Sequence, residues 1–334
     1  MEKIQYSIWK KETGNAGGKA KNDAFDIISE LGFKPSYYPT STRIIRIFQQ
    51  IFSLRKFIGK KIKIIQYPAI QKNIFNLFLK TLNKRDLSIA LIHDIVSIQG
   101  TSNVDKRKEI DKLESFDYLI VHNKNMGNYI KNLGYKGKLI NLKLFDYLHD
   151  LNKKIVNNNY SNSISFAGNL EKSKFLLHIN KISNYKFYLY GLKGCMNFSN
   201  LKNIEYKGCL SSEEIVYNLE GDYGLVWDGE TINSCTGVYG EYLKYNNPHK
   251  LSLYIAAGKP IITWKKAAIA DFVLENEIGI VVDSLEELNS LNLSKNYEKM
   301  KNNILKLKKL IAEGFYLKSA INQILNENTE YKYE

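Results

Sequence analysis

The stretch Thr236-Gly-Val-Tyr-Gly-Glu-Tyr-Leu-Lys-Tyr-Asn-Asn-Pro-His-Lys-Leu-Ser-Leu-Tyr-Ile-Ala-Ala-Gly-Lys-Pro-Ile-Ile-Thr-Trp264 decides how the rest of the chain is read. Its last five residues, Pro260 to Trp264, are a short apolar run of strand type, and Gly258 and Pro260 punctuate the turn before it. Leu251 to Ala257 is apolar and free of breakers, which predicts a helix. Asn246 and Asn247 are good N-cap types, and Pro248 suits the first helical position. His249 and Lys250 then fall in the first turn, at the positive end of the helix dipole, where a phosphate would be welcome. A buried helix with polar caps has the same spacing, so the pattern alone leaves both readings open.

The same alternation extends outward on both sides. Upstream, Ser163–Ala167 predicts a strand, followed by Gly168-Asn169-Leu170-Glu-Lys172 and a helix to about residue 182. Lys186–Tyr190, Ile204–Tyr206 and Tyr223–Trp227 are further strands, the last ending in Asp228-Gly229, and Ser211 with Glu214 has the form of a capping box. Downstream, Ile278–Val282 is a last strand and Tyr297 to about Leu325 a long helical region. Asp150 to Asn162 is polar and Asn-rich, as a linker would be.

Before that linker a second βα run is visible. Lys3–Trp9 predicts a strand, Gly14 to Ala20 a Gly-rich loop and Ala24–Leu31 a helix. The loop lacks the GxGxxG spacing of a dinucleotide site. Lys63–Gln66, Leu87–His93, Tyr118–His122 and Lys138–Leu142 are strands, separated by helical patterns. His93-Asp94 ends a fully apolar strand, the position from which side chains reach a ligand crevice in an open α/β sheet. The pair suits general-base work there, or a capping role for Asp94 with His93 packed against it. Two such α/β halves facing across a cleft would make a GT-B architecture of two Rossmann-like domains.

The segment from Ser41 to Lys63 stands apart. It holds Arg43, Arg46, Arg55, Lys56, Lys60, Lys61 and Lys63 with no acidic residue, and apolar residues between them at roughly helical spacing. Either it packs its apolar side on a core and shows a basic side to water, or it rests on anionic lipid. Composition sets the outer bounds. The chain has 334 residues, enough for two domains, and a net charge of +14 that favours anionic partners such as nucleotide phosphates, acidic lipid or nucleic acid. Part of that charge belongs to the Lys-, Asn-, Ile- and Tyr-rich usage of an AT-rich genome. Cys195, Cys209 and Cys235 have no zinc-like spacing, so reduced thiols in the cytoplasm are expected. No signal-peptide pattern opens the chain, and no apolar run approaches the ~20 residues that span a bilayer. The basic residues are scattered and no nucleic-acid motif is visible, so nucleic acid is not expected as a partner.

The residues quoted also resemble a known family. Gly237-Val-Tyr239-Gly240-Glu-Tyr242 through Asn246-Asn247-Pro248-His249-Lys250-Leu-Ser252, with Gly258-Lys-Pro260, resembles the C-terminal domain of bacterial glucosyltransferase 3-like and galactofuranosyltransferase-like enzymes. Phe166-Ala-Gly168-Asn169-Leu170 with Lys172 resembles the start of that domain, and Gly17-Gly18-Lys19-Ala20 and Ile92-His93-Asp94-Ile95 resemble its N-terminal partner. The resemblance implies an N-terminal acceptor domain over 1–157, a nucleotide-sugar domain over 158–312, and a terminal helix over 313–334 crossing back to the first. It implies a hexosyltransferase that takes glucose, galactose or galactofuranose from a UDP-sugar to a sugar acceptor on a surface glycan or glycoprotein. By the same resemblance Asn247, His249, Lys250 and Ser252 hold the diphosphate, with Lys172 and the Gly168–Leu170 loop helping. Tyr206 to Leu210 lie near the base, Asp228 and Tyr239 near the sugar, and Gly17 and Gly18 on the acceptor side.

Many retaining GT-B enzymes carry two glutamates seven residues apart around this helix. Here the second position is Leu253. That departure favours an inverting reaction with Asp94 or His93 as base. No resident cofactor or metal is expected, since no DxD cluster precedes a strand in the donor half and Lys250 with its helix can stabilise the leaving diphosphate. A nucleotide-sugar epimerase of the same shape, or a non-catalytic binding subunit, is the alternative. Homo-oligomers and a place at the inner face of the membrane are compatible with this reading.

Overall fold

A computed structural model of the chain describes residues 1–6, 16–38, 42–68, 72–100, 104–156 and 160–328. Among them, residues 1–6, 21–144 and 314–328 form one compact unit, and residues 16–20 and 145–313 a second.

The first unit is built on six strands: β1 Glu2–Gln5, β2 Lys34–Pro35, β3 Lys61–Tyr67, β4 Leu87–Ile92, β5 Tyr118–Val121 and β6 Lys138–Asn141. All pairings are parallel, in the order β2-β1-β3-β4-β5-β6. Every residue of β4 is buried, as expected of a parallel strand covered on both faces. Lys63 and Asp86 form an ion pair with both side chains fully buried, and the Lys63 ammonium also donates to Thr81 O at 2.9 Å. Such a pair holds only because its remaining hydrogen bonds are made.

Two expectations for the N-terminal half change. The two-residue strand β2 carries too little pattern to be seen in the sequence. Gly17 and Gly18 lie in the first turn of the helix Ala16–Glu30 and not in a loop. First-turn N–H groups lack intrahelical acceptors in any case, so a helix can begin on glycines there. Residues 7–9, Gly14 and Asn15, also part of the expected strand and loop, lie outside the described residues.

The second unit has β7 Ser163–Ala167, β8 Lys186–Tyr190, β9 Ile204–Tyr206, β10 Tyr223–Val226, β11 Ile261–Trp264 and β12 Gly279–Val282. Their order is β12-β11-β10-β7-β8-β9, again all parallel. Counted from β7, the strands add to one side and then to the other. The order therefore reverses between β7 and β10, the place where an open α/β sheet receives its ligand. The helix His249–Ala256 starts one residue later than the sequence predicts. Pro248 is extended, with ψ 136°, and stands at the cap, while Leu251 N bonds to Pro248 O at 2.9 Å.

Two boundaries also move. The first unit ends at Leu144 and not at 157. Phe145 and Tyr147 are buried in the second unit, Tyr147 N donates to Ile311 O at 3.1 Å and Val156 N to Tyr217 O at 2.9 Å. The expected linker is thus anchored over its first half by two aromatic residues just upstream of its polar run, and 157–159 lie outside the described residues. The long C-terminal helical region is two helices, Tyr297–Ala312 and Phe315–Glu327, separated at Gly314 with φ 73°. A side chain would be strained in that left-handed conformation.

Candidate active site

A cavity of about 340 Å³ lies at the carboxyl ends of β7, β8 and β9 in the second unit. Its walls come from the loops that follow these strands and from the first turn of the helix His249–Ala256. The loops run side by side on backbone bonds: Gly168 N to Tyr190 O at 3.0 Å, Gly191 N to Gly208 O at 2.8 Å, and Leu170 N to Leu192 O at 3.0 Å. Gly191 has φ 131°, and a Cβ there would stand 1.8 Å from Gly168 O. Only glycine allows the two loops to approach in this way.

Tyr254 fixes the helix over the switch point. β7 and β10 pair through Ile164↔Tyr223 and Ser165↔Gly224. Beyond that the Tyr254 hydroxyl stands between the strands, accepting from Ala167 N at 2.9 Å and donating to Leu225 O at 3.1 Å. Gly224 leaves room for the ring, since a Cβ there would meet Tyr254 Cγ at 2.1 Å. With the helix so held, its first-turn residues His249 and Lys250 reach the cavity wall.

Lys250 is paired with Asp228, and its ammonium lies 4.8 Å over the Phe166 ring. Its Cε packs on Gly168, where an added Cβ would be 3.1 Å away. His249 stacks on Tyr147, with ring centroids 5.1 Å apart and planes at 24°. The Lys19 ammonium also lies over Tyr147, 5.0 Å from that ring, donating to Leu148 O at 2.7 Å and 3.2 Å from a Glu213 carboxylate oxygen. Burial, and then the Lys19 charge, hold the His249 imidazole well below its ordinary pKa. It is therefore neutral near pH 7, and its Nε2 has no hydrogen-bond partner. Cationic character at this wall comes from Lys250, while His249 offers a neutral imidazole.

Of the residues singled out from the sequence, the structure brings Gly168, Asn169, His249 and Lys250 to the cavity wall, with Asp228 on Lys250. Cys209 and Leu210, from the stretch expected near a base, line it as well. Leu253, which the resemblance sets against a glutamate of retaining GT-B enzymes, lines the same wall with an apolar side chain. Others stand off it. Ser252 is buried and donates to Phe145 O at 2.7 Å, a structural bond. Asn247 is buried beneath the helix start and is not part of the wall. Tyr206 donates to Gly191 O at 3.0 Å and so braces the β8 loop from outside. Lys172 lies 5.0 Å over the Tyr239 ring, both partly or fully exposed.

Sequence reasoning missed Tyr147, Tyr190, Gly191, Leu192, Ser212 and Ile215. Tyr190-Gly191-Leu192 directly follows a correctly placed strand, so the strand-end rule could have found it. Tyr147 carries no local signal. It is positioned by a bond from its hydroxyl to Ser212 O at 2.6 Å.

Two family models cover most of the chain: the glucosyltransferase 3-like N-terminal domain over residues 4–144 and the glucosyltransferase 3-like C-terminal domain over 164–324. A β-1,6-galactofuranosyltransferase, WbbI of Escherichia coli K12, is 31% identical over 94% of this chain and 95% of its own length. The chain belongs to the glucosyltransferase 3-like family. A glucosyltransferase 3 of Streptococcus gordonii is 28% identical over 70% of this chain and 69% of its own. The fold is GT-B, α/β with a six-stranded parallel sheet in each unit. It is shared with a pneumococcal O-GlcNAc transferase, GtfA, solved with UDP and GlcNAc: TM-score 0.52, 14% identity, 86% of this chain. The chain spans 60% of the length of that enzyme.

In the first unit of this glucosyltransferase 3-like protein, His93 is buried at the end of β4 with Nε2 2.8 Å from Gln66 Oε1. Asp94 is half-buried and supports the charge of Lys21, whose pKa burial lowers. Gly18 is half-buried and Gly17 exposed. Among the described residues no group of three or more His, Cys, Asp or Glu is arranged to hold a metal ion. Nor is any described helix long and apolar enough to cross a membrane.

Proposed function

We propose that the protein is a hexosyltransferase that binds a UDP-sugar in the cavity of the second unit and transfers its hexose to a sugar acceptor on a glycan or glycoprotein. One observation carries this reading: a cavity at the carboxyl ends of β7, β8 and β9, beside the sheet's switch point, whose wall includes a lysine in the first turn of a helix. The base and ribose would occupy the space between the β7, β8 and β9 loops, and the diphosphate the helix end beside Lys250. Helix N–H groups and an ammonium in a site that excludes water stabilise the charge that develops on a leaving diphosphate. Asp228 orients the Lys250 ammonium and lies where a hydroxyl of the transferred sugar can be bound. Apolar Leu253 offers no carboxylate grip of the kind the resemblance sets for retaining GT-B enzymes, which supports inversion.

An inverting transfer needs a base to take the acceptor proton, and Asp94 is assigned that part, with His93 beside it. WbbI and glucosyltransferase 3 carry galactofuranose and glucose in their names, so the donor panel begins with those UDP-sugars. The deciding measurement is UDP release from each donor with candidate glycan acceptors, read by mass spectrometry. Conversion of a donor without acceptor would identify an epimerase instead. For Asp94→Asn the expected result is a fall of at least about 100-fold in transfer with UDP binding unchanged. Normal turnover would remove it as base.

A further inference from the structure

The helix Arg43–Ser53 of the first unit is turned the wrong way for a helix that packs on a core. Ile44, Ile45, Phe48, Ile51 and Phe52 are 67%, 51%, 57%, 43% and 58% exposed. Their spacing places them along one side of the helix. The side against the protein carries Gln50 and Ser53, each only 4% exposed, with Ser53 Oγ donating to Gln50 O at 2.7 Å. Of the two readings of this basic segment, the one that buries its apolar side is overturned. Exposed apolar side chains gathered into one contiguous face mark a surface that meets something else.

The charge beside that face states what it meets. Arg55 and Lys56 follow the helix directly and are exposed, as is Ile58 at 65%. The Arg55 guanidinium lies 5.3 Å over the Phe52 ring, at the edge of the apolar stripe. No acidic residue occurs anywhere from Leu31 to Arg85. We propose that this face docks on an anionic lipid bilayer. The isoleucine and phenylalanine side chains enter the headgroup–acyl boundary, and Arg55 and Lys56 meet lipid phosphates. A second copy of the chain fits the same face less well. In a two-fold contact that sets this segment against itself, Arg55 and Lys56 would meet a surface with no carboxylate from residues 31–85 to pair them. The proposal does not depend on the donor reading, because it concerns a different surface and is measured without substrate.

The test is flotation of the full chain with vesicles of phosphatidylcholine alone and of phosphatidylcholine with about a third phosphatidylglycerol. The protein should float with the anionic vesicles. Phe48→Ser with Phe52→Ser should reduce the floated fraction by at least about fivefold, and Arg55→Glu with Lys56→Glu should remove the preference for anionic lipid. Both variants change exposed side chains only, and an unchanged circular-dichroism melting curve confirms their fold. The proposal is overturned if wild type stays with the free protein, or if the double serine variant floats as well as wild type. It is equally overturned if light scattering shows a wild-type dimer that ignores vesicles and is split by the serine variant, which would make the face an interface between copies.

Discussion

In the first unit the polar groups at the carboxyl ends of the strands answer one another. His93 Nε2 meets Gln66 Oε1 at 2.8 Å, Gln66 Nε2 donates to Lys21 O at 3.1 Å, and the buried His122 ring is 3.1 Å from Ile92 O. Glu109 accepts from Val96 N at 3.0 Å, Ser97 N at 2.8 Å and the Tyr67 hydroxyl at 2.5 Å. In the second unit the same end of an equally large sheet opens into a cavity. The residues after the strands account for the difference. Tyr6, Pro68, His93 and His122 follow β1, β3, β4 and β5, whereas Gly168 and Gly191 follow β7 and β8, and Gly208 comes two residues after β9. Two sheets of one type thus acquire different strand ends from a handful of residues: among the described residues, mutually bonded side chains in one, and glycines beside a cavity in the other.

The comparison can be broken at several points, the strongest being Lys250. If the open end holds a diphosphate, Lys250→Ala removes the cation and leaves Asp228 beside the phosphates, so transfer should fall by more than tenfold, on the order of 100-fold, with the fold intact. Titration calorimetry with UDP and initial-rate assays check this, and near-normal turnover would take Lys250 out of that role. The filled end has its own signature in acid. Burial lowers the His122 pKa to about 4, against its ordinary value of 6.5. Between those values the unfolded chain binds a proton that the native one does not, so stability declines as pH falls from about 6.5 towards 4, by up to about 1.4 kcal/mol per pH unit. Urea midpoints across that range should show the decline, and His122→Gln should lessen it.

A smaller effect is expected at the junction of two loops. Gly191→Ala places a methyl group against Gly168 O, so the β7 and β8 loops must separate. A stability loss of about 1–3 kcal/mol and weaker UDP binding should appear together, and a variant with native UDP affinity would show that the loop contact does not shape the cavity. The smallest effect sharpens the boundary of the site. Ser252→Ala removes a buried bond to Phe145 O, for about 1 kcal/mol of stability, yet should leave UDP affinity within about twofold. A large affinity loss would return Ser252 to the phosphate site.

Much of the fold was legible because parallel strands buried on both faces announce themselves. Lys186–Tyr190 and Ile204–Tyr206 were placed to the residue, and β4, β10 and β11 to within one. Strand β2 was not legible, since two residues make no period. Nor was the break at Gly314, because apolar spacing continues through it. At the cavity wall, Lys250, His249, Gly168 and Asn169 were visible as helix-start and strand-end residues. Ser252 donates to Phe145 O, a bond the sequence could not show because a first-turn serine has the same form whether it faces ligand or protein. Tyr147 and the stacking on His249 depend on residues far apart in the chain, which no local pattern records. The helix Arg43–Ser53 shows the same gap, for its sequence shows two faces but not which one turns outward.

The Tyr254 hydroxyl has one further consequence. By accepting from one strand and donating to the next, it acts as a spacer that keeps β7 and β10 from zipping shut at their ends. The floor of the cavity is therefore set by the fold itself. Phenylalanine at this position would leave an amide and a carbonyl facing an apolar ring, and the sheet would have to recruit water or close at the edge of the cavity.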